Sequence, residues 1–148
     1  DPPAMRASRP SLIIGKRVLL AEDNEVNQLV CRALLEQIGC EVVVACNGRE
    51  AVERMAEGEY DVVFMDCFMP ELDGFAATAE IRALPGPASK TPVIAFTASA
   101  TPSDREKCIA AGMDDIVSKP VDHDRLESML ARWTLKSRVA SDEREHDA

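Results

Sequence analysis

Five short apolar runs alternate along the chain with segments in which apolar residues recur every three or four positions. The runs occupy residues 17–21, 41–45, 62–65, 92–96 and 116–117. A short apolar run bounded by turn residues is typical of a strand buried on both faces, and three-and-four spacing is typical of an amphipathic helix. The alternation therefore predicts βα units, which build a parallel sheet with helices on both faces.

The predicted fold class is α/β, a flavodoxin-like (βα)5 three-layer sandwich with a five-stranded parallel sheet. The second strand ends in Ala45 and Cys46 and offers no reactive group there. If this strand lies at an edge and the first and third strands are neighbours, the strand order is 2-1-3-4-5. In such a sheet, ligands bind in the crevice beside the carboxyl ends of the first and third strands.

Turn and cap residues mark the ends of the predicted helices. The predicted N-caps or helix starts are Asn24, Asn47, Asp73 and Thr101, and the predicted stops are Gly39, Gly58 and Gly112. The apolar face of the first helix is predicted to consist of Val26, Leu29, Val30, Ala33, Leu34 and Ile38. The fourth helix is predicted to carry Ile109, Ala110 and Met113.

One domain is expected for 148 residues, and we assign it to residues 16–135. Residues 1–15 contain three prolines and no periodicity, which indicates a linker or a cloning remnant. Residues 136–148 are polar and indicate a tail or a linker. The chain begins with Asp1 and not with Met, which suggests a fragment of a longer protein.

The charge of the chain excludes some classes of partner. The net charge is −9, which argues against nucleic acid and against direct contact with an anionic membrane surface. No apolar run approaches the roughly 20 residues that a membrane-spanning helix needs. The five cysteines show no metal-binding or redox spacing, so we expect small buried residues in a reducing compartment. The predicted location is the cytoplasm.

Reactive side chains follow four of the five predicted strands. They are Glu22 and Asp23 after the first strand, Asp66 after the third, Thr97 after the fourth and Lys119 after the fifth. Because parallel strands end at the same edge of the sheet, these side chains are expected to converge. Three carboxylates held close together repel one another unless a cation offsets their charge, and Mg²⁺ with oxygen ligands does so.

The predicted cluster suits phosphoryl transfer to a carboxylate. A metal ion on one side of Asp66 and Lys119 on the other would hold the charge of a phosphoryl group as it transfers. A carboxylate can itself be the acceptor and give an acyl phosphate. Thr97 can hydrogen-bond a phosphoryl oxygen, and Ala98 is small and leaves room.

Each of these residues also has an ordinary structural explanation. Glu22 and Asp23 are acids that a helix dipole favours, Asp66 is a candidate helix cap and Thr97 suits a turn. Lys119 would serve equally as a solvated surface charge. Taken singly, the structural and the functional explanations are about equally good, but their joint occurrence at four strand ends is hard to attribute to chance.

Four motifs resemble the receiver domain of two-component response regulators. They are Leu-Leu-Ala-Glu22-Asp23-Asn-Glu-Val-Asn, Met-Asp66-Cys-Phe-Met-Pro-Glu-Leu-Asp-Gly, Ala-Phe-Thr97-Ala and Ser-Lys119-Pro120. The resemblance covers residues 17–133 and is greatest to the receiver of a hybrid sensor histidine kinase. A stand-alone single-domain regulator is the alternative.

The resemblance implies that Asp66 accepts a phosphoryl group from a phosphohistidine. It also implies that Asp23, Asp66 and the backbone carbonyl of Phe68 hold Mg²⁺, with Glu22 acting largely through water. Lys119 would pair first with Asp66 and then with the phosphoryl group.

Further positions resemble the switch and tuning residues of the family. Thr97 would swing inward on phosphorylation, and Phe68 and Ser99 would tune the lifetime of the phosphoryl group. The Lys119–Pro120 bond is a candidate cis peptide. Receivers usually carry an aromatic residue three positions before the lysine, where this chain has Ile116. The phosphorylation chemistry is expected to survive this departure, whereas the aromatic part of the switch is missing or altered.

The partners that the resemblance implies are the phosphohistidine domain of a histidine kinase, a histidine phosphotransfer domain, or both. The sequence leaves a homodimer open. The chain would be a phosphoacceptor that catalyses its own phosphorylation, within a parent histidine kinase for which an inner-membrane sensor is one candidate. A haloacid-dehalogenase-like phosphatase is a remote alternative, because it needs a second Asp where this chain has Phe68.

Overall fold

The computed structural model describes residues 13–98 and 100–135, and it forms one five-stranded parallel sheet with helices on both faces. The strands are β1 (Arg17–Ala21), β2 (Glu41–Ala45), β3 (Val62–Asp66), β4 (Val93–Thr97) and β5 (Asp115–Ser118). The helices are α1 (Glu25–Ile38), α2 (Gly48–Glu57), α3 (Gly74–Arg82), α4 (Pro102–Ala111) and α5 (His123–Leu130). A 3₁₀ helix spans Gly86–Lys90, and a π-helical turn, Ala131–Leu135, follows α5.

The strand order is β2-β1-β3-β4-β5, so the predicted fold class and topology are confirmed. In the register of β1 and β3, Ala21 lies opposite Met65, which places Glu22 level with Asp66. In the register of β4 and β5, Thr97 lies opposite Ser118, the residue before Lys119. The sheet alone therefore brings the predicted reactive positions to one edge.

Two apolar clusters fill the spaces between the sheet and the helices. One contains Val18 and Leu20 of β1 together with buried residues of α1 and α5. The other contains Leu19 and Ala21 of β1 together with buried residues of α2, α3 and α4. Because successive side chains of a strand point to opposite faces, each strand contributes to both clusters, as in a three-layer sandwich.

Cap residues place the helix ends as predicted. Four side chains each accept a hydrogen bond from the backbone N–H three residues later, namely Asn24, Asn47, Asp73 and Thr101. Gly39 and Gly112 end α1 and α4 in the left-handed conformation, with φ of 112° and 102°. Such a conformation costs glycine much less than other residues.

The predicted apolar face of α1 is partly wrong. Cys31, Leu35 and Ile38 are the buried residues of this helix. They lie at i, i+4 and i+7 and form one stripe. At 3.6 residues per turn, Val26, Leu29 and Val30 fall on the opposite side of the helix. They are 66%, 70% and 51% exposed, respectively.

A similar shift occurs on α4, where Cys108 is buried and Ile109 is 60% exposed, although Ile109 was predicted on the apolar face. The cysteines all have free thiols, and four of the five are buried. Burial raises the pKa of the Cys67 thiol to about 12, so this thiol stays protonated and acts as a small apolar group. The prediction of buried cysteines is wrong for Cys46, which is exposed.

The described part of the chain starts inside the segment predicted as a linker. Ile13 is only 1% exposed and belongs to the apolar cluster beside α1, so residues 13–15 are part of the fold. Residues 1–12 and the predicted tail from 136 to 148 lie outside the described residues, as does Ser99. Among the described helices, none has both the length and the apolar character to cross a membrane.

Candidate functional site

Three carboxylates meet at the carboxyl edge of the sheet. Glu22 and Asp23 directly follow β1, and Asp66 is the last residue of β3. One carboxylate oxygen of each residue lies within 4.8 Å of those of the other two. Glu22 is fully buried and Asp66 is 6% exposed, whereas Asp23 is exposed, so solvent reaches the group from the side of Asp23. The structure thus brings together the three acids predicted from sequence.

Lys119, the residue directly after β5, joins this group. Its Nζ donates hydrogen bonds of 2.7 Å to Oε1 of Glu22 and 3.1 Å to Oδ2 of Asp66. Burial alone would lower the pKa of Lys119, but the hydrogen bonds to Glu22 and Asp66 raise it above the ordinary value. The side chain is therefore an ammonium ion at neutral pH. The predicted pair with Asp66 is present, and Glu22 is a second partner.

The backbone of Lys119 is also hydrogen-bonded within the site. The backbone N–H of Lys119 donates a 2.7 Å hydrogen bond to the carbonyl of Thr97. The peptide bond between Lys119 and Pro120 is cis, as predicted.

Glu22 is held by contacts on both its side chain and its backbone. Oε2 accepts a 3.2 Å hydrogen bond from the backbone N–H of Asn24, while Oε1 is taken by Lys119. The carbonyl of Glu22 accepts a 2.6 Å hydrogen bond from Nε2 of Gln28 in α1. Gln28 is not among the site residues that the sequence predicts. The available signal was its place at the end of the first turn of α1, the helix that follows Glu22 and Asp23.

Asp66 is positioned by the start of α3. Its Oδ1 accepts a 3.2 Å hydrogen bond from the backbone N–H of Phe68, and its Oδ2 is bonded to Lys119. A Cβ at Gly74 would lie 2.2 Å from the carbonyl oxygen of Asp66, so only glycine lets α3 approach this closely. The N–H of Gly74 also donates a 3.0 Å hydrogen bond to the carbonyl of Cys67. Gly74 therefore helps to position the Asp66 carboxylate.

The remaining predicted site residues surround this cluster or support it. Thr97 is the last residue of β4 and is 4% exposed, and Ala98 after it is exposed. Phe68 is 69% exposed, and its ring meets that of Phe75 edge-on at 5.9 Å. Ile116 is 2% exposed and belongs to the core beside α2, α3 and α4, so its side chain is a packing residue.

Comparison with known proteins identifies the family. Residues 18–131 match the response regulator receiver domain. The receiver domain of the sensor histidine kinase PA1611 from Pseudomonas aeruginosa PAO1, solved with a magnesium ion coordinated in its active site cleft, is 43% identical. That match has a TM-score of 0.76 and covers 81% of this chain and 98% of the other.

Two further relatives show the range of the family. A chain of the co-crystal structure of the Saccharomyces cerevisiae phosphotransfer protein Ypd1 with the Ssk1 receiver domain is 28% identical. Its TM-score is 0.76, with coverage of 84% of this chain and 92% of the other. The signal transduction histidine-protein kinase BarA of Escherichia coli is 38% identical over 128 residues, which cover 86% of this chain and 14% of BarA.

Eight of the curated relatives are much longer than this chain, which spans 4% to 19% of their length. The family match itself includes β3 and all of β1 except Arg17, and these two strands carry the acidic cluster. The chain therefore belongs to the response regulator receiver domain family.

Proposed function

We propose that Asp66 accepts a phosphoryl group from a phosphohistidine and that this chain is the receiver of a hybrid sensor histidine kinase. One observation carries the assignment of the acceptor. The Asp66 carboxylate lies within 4.8 Å of two further carboxylates and 3.1 Å from the ammonium of Lys119. Neither a helix cap nor a solvated surface acid requires such surroundings. The hybrid parent is supported by relatives such as the hybrid signal transduction histidine kinase B of Dictyostelium discoideum, which is 42% identical over 116 residues.

The acidic cluster fits a magnesium ion. Its ligands are hard oxygen atoms close enough to share one cation, and Mg²⁺ typically binds one or two carboxylates and keeps several waters. Asp23, Asp66 and the carbonyl of Phe68 would hold the ion. Both oxygens of Glu22 already accept hydrogen bonds, from Lys119 and the N–H of Asn24, which supports a role for Glu22 through water. When bound, the ion neutralises charge on the phosphoryl oxygens.

The transfer itself requires little of the protein beyond positioning and charge. A carboxylate oxygen of Asp66 forms a bond to phosphorus as the P–N bond of phosphohistidine breaks. The electron pair of that bond returns to the imidazole nitrogen, which takes up a proton, and the product is an acyl phosphate. Lys119 stabilises negative charge on the phosphoryl oxygens, and the hydroxyl of Thr97 is proposed to bond one of them.

The proposed partner is a phosphohistidine-bearing domain of a histidine kinase or of a histidine phosphotransfer protein. Val26, Leu29 and Val30 form an exposed apolar patch on the first turns of α1. Val30 also lines a cleft of about 420 Å³ together with Lys119, so the patch is continuous with the site. Exposed apolar patches of this kind typically mark protein-binding surfaces. Ypd1 and the Ssk1 receiver are a known pair of a phosphotransfer protein and a receiver domain.

The alternative functions find less support. A stand-alone regulator would share the same site, but the curated relatives include hybrid signal transduction proteins of Dictyostelium discoideum. They also include bacterial sensor and kinase proteins of which this chain spans only 14% to 15%. A haloacid-dehalogenase-like phosphatase would need an acid two residues after Asp66. That position is Phe68, whose ring lies largely in solvent.

The proposal is tested by incubating the protein with acetyl phosphate and Mg²⁺ and measuring its intact mass. The wild type is expected to gain one phosphoryl group, and Asp66→Asn none. Asp61→Asn is the matched control, because Asp61 lies just before the other end of β3, and its variant should be phosphorylated like the wild type. An adduct of unchanged yield on Asp66→Asn would refute the assignment.

A further inference from the structure

Asp115, the first residue of β5, is a buried carboxylate that the proposed phosphoryl transfer does not use. It is 8% exposed, and its Oδ2 accepts a 2.9 Å hydrogen bond from the indole Nε1 of Trp133. Nη1 of Arg132 lies 3.5 Å from the same oxygen, and Nη1 of Arg105 lies 3.7 Å from Oδ1. We refer to these four residues as the Asp115 cluster.

The Asp115 cluster ties three elements to one side chain. Arg105 belongs to α4, Asp115 to β5, and Arg132 and Trp133 to the turn Ala131–Leu135. A buried carboxylate is unfavourable unless it is paired and hydrogen-bonded, so Asp115 keeps these contacts only while the three elements stay in place. The two arginines approach different oxygens from the surface. A shift of α4 relative to β5 would move Arg105 away from Oδ1 of Asp115. Because Trp133 is hydrogen-bonded to the same carboxylate, its electrostatic surroundings would change as well.

Two of the three elements are joined by short segments to residues of the proposed phosphorylation site. β5 runs from Asp115 to Ser118, and the next residue is Lys119, which bonds Asp66. α4 is capped by Thr101, four residues after Thr97 at the end of β4. A change at Lys119 or in the segment after Thr97 thus has a short covalent path to the cluster. The third element, the turn Ala131–Leu135, directly continues α5 and packs on the apolar core through Ala131 and Trp133. The Asp115 cluster adds a polar link from this turn to β5 and α4.

We propose that the Asp115 cluster passes the phosphorylation state of Asp66 to the turn Ala131–Leu135. The inference rests on the proposed function, because phosphorylation of Asp66 is its input. Asp115 acts here as a positioning residue and takes no part in the chemistry. Because the coupling runs through a carboxylate and its cationic partners, it needs no aromatic side chain at position 116.

The fluorescence of Trp133 reports on the Asp115 cluster, because Trp133 is the single tryptophan of the chain. Its fluorescence emission is recorded before and after incubation with acetyl phosphate and Mg²⁺, and the phosphoryl adduct is counted by intact mass on the same sample. Phosphorylation is expected to shift the emission of the wild type. Asp115→Asn is expected to form the adduct equally well and to lose the shift. The control Glu80→Gln removes a carboxylate from the ion pair with Arg49. This variant should keep both the phosphoryl adduct and the emission shift.

A surface variant keeps the test decisive if Asp115→Asn does not fold. Arg105→Gln removes one partner, is 55% exposed at its side chain, and leaves the bond between Asp115 and Trp133 in place. Its shift should also be lost. A phosphorylated wild type with unchanged emission would overturn the inference while leaving the proposed function intact, as would a full shift in either variant. A wild type without any adduct would overturn both.

Discussion

Substitution of Lys119 by methionine separates the structural and the chemical role of this residue. The ammonium is the cation that the structure places between Glu22 and Asp66, with hydrogen bonds of 2.7 and 3.1 Å. Methionine keeps much of the length of the side chain and removes its charge and donors. Lys119→Met would leave two carboxylates, one fully buried and one 6% exposed, close together without that cation.

The size of the effect follows from these contacts. Removing one member of a buried ion pair costs about 3 to 5 kcal/mol. The side chain of Lys119 is 21% exposed, so water compensates part of the loss. We therefore expect the free energy of unfolding to fall by about 2 to 4 kcal/mol in the absence of divalent cations. That is a substantial part of the roughly 5 to 15 kcal/mol by which domains are stable.

Urea denaturation in EDTA measures the loss of stability in Lys119→Met, and urea denaturation in Mg²⁺ measures how much stability the cation restores. A divalent cation binds the folded state and stabilises it, by about 2.7 kcal/mol at a hundred times its dissociation constant. The gain should be larger for Lys119→Met than for the wild type, because the variant has lost its competing positive charge. Lys107→Met, at an exposed lysine of α4, is the control and should change stability little. Equal stability of Lys119→Met and wild type in EDTA, or equal gains from Mg²⁺, would refute the reasoning.

Two further predictions concern stability. Gly74→Ala should destabilise the fold by about 1 to 3 kcal/mol or more, because its Cβ would meet the carbonyl oxygen of Asp66 at 2.2 Å. Gly58→Ala, whose Cβ would have only ordinary contacts, is its control in urea denaturation. The raised pKa of Lys119 contributes stability that is present below the unfolded value near 10.5 and is lost as the pH rises through the folded value. The stability difference between wild type and Lys119→Met should therefore shrink in strongly alkaline buffer, and a constant difference would contradict the charge argument.

The site was predictable because it depends mainly on strand ends. A short apolar run locates a strand to within a residue or two, and parallel strands share one edge. The strand register then determines which side chains are neighbours. Because Ala21 lies opposite Met65, Glu22 lies beside Asp66. The reactive residues could thus be placed together without any knowledge of their side-chain conformations.

The face of α1 was harder to predict because the sequence contains two overlapping apolar stripes. One includes Val26 and Val30, and the other includes Cys31 and Leu35. Periodicity alone does not rank two such stripes, and the buried one is chosen by the fit of the helix against the sheet. The exposed stripe therefore has the periodicity of a core face, although it is the surface that we propose for the partner.

Contacts between distant side chains lay beyond the sequence altogether. The hydrogen bond of Trp133 to Asp115 joins residues 18 positions apart, and that of Lys119 to Glu22 joins residues 97 apart. Each depends on the side-chain conformations that the packed elements allow. Local propensity carries no information about such pairs, whereas the convergence of whole strands requires only topology.

The second partner of Lys119 changes how the charge of the site is understood. Glu22, Asp23 and Asp66 with Lys119 leave two negative charges in excess, and one divalent cation balances them. A phosphoryl group brings nearly two negative charges in place of the single charge of Asp66. Lys119 then has a stronger acceptor than Glu22, and the 2.7 Å bond to Glu22 becomes the contact that phosphorylation competes against. A shift of this ammonium toward the phosphoryl group would act on the strand that begins at Asp115, which gives the switch a starting point independent of any aromatic residue at position 116.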